Sequence, residues 1–165
     1  MKFIAIDPSS TLLGWAVFEY DELLSYGQID ARKADYERRY LFITDELSNI
    51  WKDNYITEVA MEETFQNPKL NTAALKVAEM TIRKWAERRG MTVTLYHPST
   101  WKASVVGHGG ADKDMTGRTV WLHYGEIFKR DGIEPSEHTI DAIGIGIYHA
   151  GIRRWEDMKR EAQRR

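Results

Sequence analysis

Residues 2–29, KFIAIDPSSTLLGWAVFEYDELLSYGQI, decide the fold. Three short apolar runs rich in β-branched and aromatic residues stand between turn residues. KFIAID (2–7) is stopped by Pro8, and GWAVFEY (14–20) and LLSYGQI (23–29) meet at Tyr20, Asp21 and Glu22. The chain therefore opens with three strands in a meander. The first is apolar nearly throughout, the pattern of a strand covered on both faces, and an acid, Asp7, stands at its end.

Downstream, Tyr36, Tyr40, Ile43, Leu47 and Ile50 or Trp51 recur at helical spacing and predict a helix over 35–53, after which EVAME (58–62) supplies a fourth strand ending in Glu62. A loop at 63–69 precedes a helix over 70–89 that Gly90 stops. MTVTLYHP (91–98) is a fifth strand closed by Pro98. A short helix at 99–106, the glycine-rich turn GHGG (107–110), a helix at 113–130 and a last helix near 136–152 complete the order. Three strands followed by helix, strand, helix and strand imply an α/β domain with a mixed five-stranded sheet and helices on both faces. At 165 residues there is chain for one substantial core, so residues 1–152 form one domain and 153–165 a basic tail.

Composition narrows the chemistry. Without cysteine, disulfides, thiolate zinc sites and a cysteine nucleophile are excluded, and any metal is held by carboxylate, imidazole or carbonyl, which points to hard divalent ions. No segment approaches the roughly 20 apolar residues of a membrane span, and an acid at position 7 sits badly in the apolar core of a leader, so an intracellular protein is expected. With 23 Lys and Arg against 25 Asp and Glu, net charge alone gives no sign of a nucleic-acid partner. The tail RRWEDMKREAQRR holds six basic and three acidic side chains, read either as a solvated helix end or as a phosphate contact.

If the first and fourth strands are neighbours, Asp7 and Glu62 emerge at one edge of the sheet, close enough to share a cation. His138 and Asp141, three residues apart at the start of the last helix, share a helix face. Taken singly, each acid has an ordinary alternative: Asp7 could cap the Pro8-Ser9-Ser10 turn, and Asp141 could pair with Arg153. Together the four make a possible site of three carboxylates and one imidazole.

IAIDPSSTLLGWAVFE (4–19), AMEETFQNPKLNTAALKVAEM (60–80), YHPSTWKASVVGHGGADKDM (96–115) and HTIDAIGIGIYH (138–149) resemble, in order and spacing, the four motif blocks of RuvC resolvases, over about residues 2–149. The resemblance implies an RNase H-like fold and a homodimer that cuts two strands of a Holliday junction with divalent metal, Mg²⁺ or Mn²⁺. Two ions per site are then expected, held by Asp7, Glu62, His138 and Asp141. Two ions about 3.5 to 4 Å apart serve both the attacking and the leaving oxygen of a phosphodiester, so no protein nucleophile is needed. Lys102 and Lys113 become candidates for the scissile phosphate, Lys69 for DNA contact, and Phe65 for a wedge into an opened base step or, alternatively, a ring packed under its loop. His108 reads as an exposed loop residue, and Asp112 and Asp114 as helix-start acids.

Two positions depart from the family pattern. His138 stands where many members carry Asp, a softer ligand that leaves metal preference open, and Glu63 stands where Gln is frequent. The apolar positions of the 70–89 helix form two stripes. Leu75, Ala78, Ile82, Trp85 and Ala86 fall on one side, and Leu70, Ala73, Val77 and Met80 fall opposite, against another helix or a second subunit. The rival readings are a nuclease for structured RNA and a single-lobe nucleotide-binding relative.

Overall fold

The computed structural model describes residues 1–65, 72–107 and 113–164, apart from the side chain of Lys113. Strands β1 (Lys2–Asp7), β2 (Leu12–Glu19) and β3 (Glu22–Asp30) form the antiparallel meander, and β4 (Glu58–Glu62) and β5 (Thr92–Tyr96) add in parallel on the other side of β1. The sheet order is β3-β2-β1-β4-β5, so β1 and β4 are neighbours. Helices α1 (Arg39–Asn54) and α2 (Ala73–Glu87) cover one face; α3 (Pro98–Val106), α4 (Lys113–Asp131) and α5 (Glu137–Gln163) cover the other.

The alternation of β1 explains its burial on both sides. Ile4 and Ile6 point to the layer of Ile43, Leu47, Ile82 and Trp85, while Phe3 and Ala5 point to the layer of Trp101, Phe128, Ala142 and Ile143. A strand covered by helices on both faces has no polar side, which is why its sequence shows no alternation.

Two element boundaries differ from expectation. The expected 35–53 helix begins with a 3-10 turn at Tyr36–Arg38 and continues as α1, ending at Tyr55 in the left-handed conformation with φ 54°. The last helix runs eleven residues beyond the expected 152, through most of the basic tail. No proline interrupts residues 153–163, and ion pairs three residues apart, Arg153–Glu156 at 2.7 Å and Asp157–Arg160 at 3.7 Å, support the added turns. Lys69, Leu70, His108 and Asp112 lie outside the described residues, as does most of the GHGG turn.

One glycine brings the two halves of the fold together. A Cβ at Gly14 would stand 1.9 Å from the carbonyl oxygen of His138, so the start of α5 lies on β2 only because residue 14 has no side chain.

Candidate active site

The register Ile6↔Met61 between parallel β1 and β4 sets the next residues, Asp7 and Glu62, side by side where both strands leave the sheet. The first turns of α5 face the same edge. Ser136 caps that helix through a bond from Thr139 N to its Oγ, 3.3 Å, fixing where the helix starts and hence where His138 and Asp141 project. Asp7, Glu62, His138 and Asp141 line one cleft of about 320 Å³ together with Ser9, Glu63, Phe65 and Glu137.

Two contacts order the cleft. His138 Nδ1 lies 2.6 Å from Asp7 Oδ2, and the indole N–H of Trp101 donates to Glu62 Oε2 at 2.9 Å. The turn after Asp7 is capped by Ser9, whose Oγ accepts from the N–H of Thr11 and of Leu12, rather than by Asp7. Arg153 pairs with Glu58 and Glu156 at the start of β4, the end away from Glu62, so the suggested Asp141–Arg153 pair is not formed.

Burial pushes the Glu62 carboxyl up to about 7; the Trp101 hydrogen bond and the charge of Lys102 act against that rise, and the charges of Asp7 and Asp141 add to it. Crowded carboxylates that resist ionisation together are a donor set suited to a divalent cation, which relieves their repulsion. Among the described residues no three of these groups stand in ready-made ligand geometry, and Asp7 is turned to His138. The donor chemistry, three carboxylates and an imidazole on one cleft, nevertheless fits a hard divalent ion with one softer ligand.

Lys102 sits on α3 with its Nζ 5.3 Å from the centre of the Trp101 ring, within charge reach of Glu62. Lys113 begins α4. Phe65 is half-exposed at the cleft rim, its ring 4.6 Å from that of His97, so it is not a core residue. The loop that carries it is anchored by fully buried Glu79 of α2, which accepts from Thr64 N (2.8 Å), Thr64 Oγ1 and Lys76 Nζ (2.8 Å). On α2, Ala78, Ile82, Trp85 and Ala86 are buried as the first stripe requires, whereas Leu75 of that stripe is only partly buried and lines the cleft, and Ala73, Val77 and Met80 of the second stripe are exposed.

Sequence reasoning missed Trp101 and Glu79. For Trp101 the signal was present: an aromatic directly before the candidate Lys102, at the start of a helix that leaves the strand beside β4. Glu79 lies within the apolar face of α2, where a lone acid is a sign of a buried partner.

A family model described as crossover junction endodeoxyribonuclease RuvC matches residues 3–149. The crossover junction endodeoxyribonuclease RuvC of Bradyrhizobium sp. (strain ORS 278) is 32% identical over 166 residues, covering 96% of this chain and 91% of the relative. Among solved structures, Thermus thermophilus RuvC superimposes with a TM-score of 0.75 at 23% identity, over 94% of this chain and 97% of that one. T. thermophilus RuvC in complex with Holliday junction substrate gives 0.74 at 23% identity, over 94% and 96%. At that identity the structures speak for the fold, an RNase H-like α/β sheet, and the family match and the relative speak for descent: the chain belongs to the RuvC family of crossover junction endodeoxyribonucleases.

Proposed function

We propose that the chain resolves Holliday junctions and other branched DNA by hydrolysing phosphodiesters in the cleft between β1, β4 and α5. The observation that carries the reading is the meeting of Asp7, Glu62, His138 and Asp141, from three separate parts of a RuvC-family chain, on that one cleft. Asp7, beside both Glu62 and His138, would hold the divalent ions together with Glu62, His138 and Asp141. Two Mg²⁺ or Mn²⁺ ions held there would stabilise the attacking and leaving oxygens of the scissile phosphate.

The remaining roles belong to the chain's own groups. Lys102 offers a cation beside the acids, for the charge that develops on the phosphate. Lys113 and Lys69 are assigned to the DNA backbone, and Phe65, half-exposed at the rim, to stacking on an opened base step. The exposed stripe Ala73, Val77 and Met80 is assigned to a homodimer, which would set two clefts against the two strands of a junction. Among the described residues no helix is long and apolar enough to cross a membrane, and the cytoplasm of a bacterial or phage-infected cell is the proposed location.

The test is cleavage of a mobile four-way DNA junction, a flap, a linear duplex and a structured RNA in Mg²⁺ and in Mn²⁺. The wild type should cut the junction in preference to the duplex and RNA. Asp7→Asn, which removes charge and almost no volume, should lose about a hundredfold or more of that activity while still binding the junction. Near-normal cleavage by the variant would remove Asp7 from the centre, and preferential cutting of RNA would move the substrate to another class.

A further inference from the structure

Trp101 is the largest of the fully buried side chains, and its indole N–H is its one polar atom. A buried donor is strongly disfavoured unless it is paired, and this one is paired with a single partner, Oε2 of Glu62 at 2.9 Å. The ring cannot readily swing away. A Cβ at Gly144, one turn beyond Asp141 on α5, would fall 2.6 Å from Trp101 Cζ3, so α5 comes this near the indole only because residue 144 has no side chain. On another side the ammonium of Lys102 approaches the ring. The indole therefore stands among Glu62, the α5 helix that carries Asp141, and the candidate phosphate-binding lysine.

We propose that Trp101 is a positioning residue for the metal-binding carboxylate of Glu62. Its N–H holds Oε2 so that Oε1 is the oxygen offered to the cation, and its ring sets the spacing between the Glu62 and Asp141 sides of the cleft. The inference rests on the reading of Glu62 as a ligand and adds how that ligand is aimed. A carboxylate on a side chain with three rotatable bonds has many rotamers; fixing one oxygen to a rigid donor removes most of them before the ion arrives, which raises affinity by pre-organisation. A tryptophan that merely fills space would serve equally well with its N–H replaced by carbon.

The experiment follows the full chain in the absence of DNA. In ¹H–¹⁵N spectra the Trp101 indole signal, assigned through the backbone of the wild type, should shift on titration with Mg²⁺ and should also move in Glu62→Gln, where the acceptor loses its charge. By calorimetry, Trp101→Phe, which keeps a ring and loses the donor, should bind Mn²⁺ about fivefold to tenfold more weakly, in line with one lost hydrogen bond. Its junction affinity should stay at the wild-type value while its cleavage rate at limiting metal falls. Wild-type Mn²⁺ affinity in folded Trp101→Phe, with Glu62→Gln defective, would overturn the positioning role and leave Glu62 a ligand. Wild-type affinity in both variants would remove Glu62 from the metal site and the inference with it. Should Trp101→Phe fail to fold, an indole signal indifferent to both Mg²⁺ and Glu62→Gln would overturn the proposal by itself.

Discussion

Glu62 binds its proton more tightly in the folded chain than in the unfolded one, with a pKa raised from 4.5 to about 7, chiefly by burial. Over that window the folded state holds a proton that the unfolded state has released, so stability falls as pH rises from about 4.5 to about 7. A cation that binds the ionised form reverses the penalty. Melting curves should therefore show a larger Mg²⁺-induced rise in midpoint at pH 7.5 than at pH 5.5, and Glu62→Gln should flatten that difference; equal rises at both pH values in the wild type would contradict it. His138 is the other residue whose chemistry sets it apart. Its Nδ1 lies against Asp7, and an imidazole in a carboxylate site favours Mn²⁺ over the more strictly oxygen-seeking Mg²⁺. The wild type should reach half-maximal cleavage at lower Mn²⁺ than Mg²⁺ concentration, and His138→Asp should narrow the gap severalfold. Metal-concentration curves unchanged in His138→Ala would take the residue out of the site.

At the scale of elements, α2 and α5 show what a pattern can reveal and what it cannot. The two apolar stripes of α2 were legible from spacing alone: one is buried on the sheet, and the other lies exposed with Val77 and Met80 each nearly half open to solvent. That exposure is the basis for expecting a dimer through this face. Val77→Glu combined with Met80→Glu should give a monomer by sedimentation at micromolar concentration, with stability of the folded chain changed by only about 0.5 kcal/mol per site, as for other surface positions. A wild type that sediments as a monomer and still makes paired cuts would assign the stripe elsewhere. For α5 the sequence was less informative. RRWEDMKREAQRR has no apolar period, so the sequence predicts that the helix stops near 152, whereas the helix continues to Gln163 with local ion pairs along it. Trp101 was hidden for a different reason. Its partner Glu62 lies 39 residues earlier, and the space for its ring depends on a glycine in a third element, which no local pattern encodes.

In the whole molecule, sheet order did most to make the site readable: once β1 and β4 are neighbours and parallel, their terminal acids must emerge together. A second tie between α5 and the sheet was not readable. Buried His149 contacts Tyr96 Oη at 2.7 Å and Glu58 Oε2 at 3.3 Å, and Glu58 also accepts from Arg153, tying the middle of α5 to β4 and β5. The same helix brings His138 to Asp7 across 131 residues of chain, and this long separation has a consequence in time. Contacts distant in sequence form late, because the entropy of closing the intervening loop must be overcome before they contribute anything. The meander and its local turns can form early, but the cleft waits for α5. On dilution from urea, far-ultraviolet dichroism should thus recover ahead of Mg²⁺ binding, and recovery of both in one phase would show that α5 docks in the same step as the sheet. A chain still being synthesised, with Asp7 and Glu62 made and residues 137–163 yet to come, would carry half of a nuclease and cut nothing.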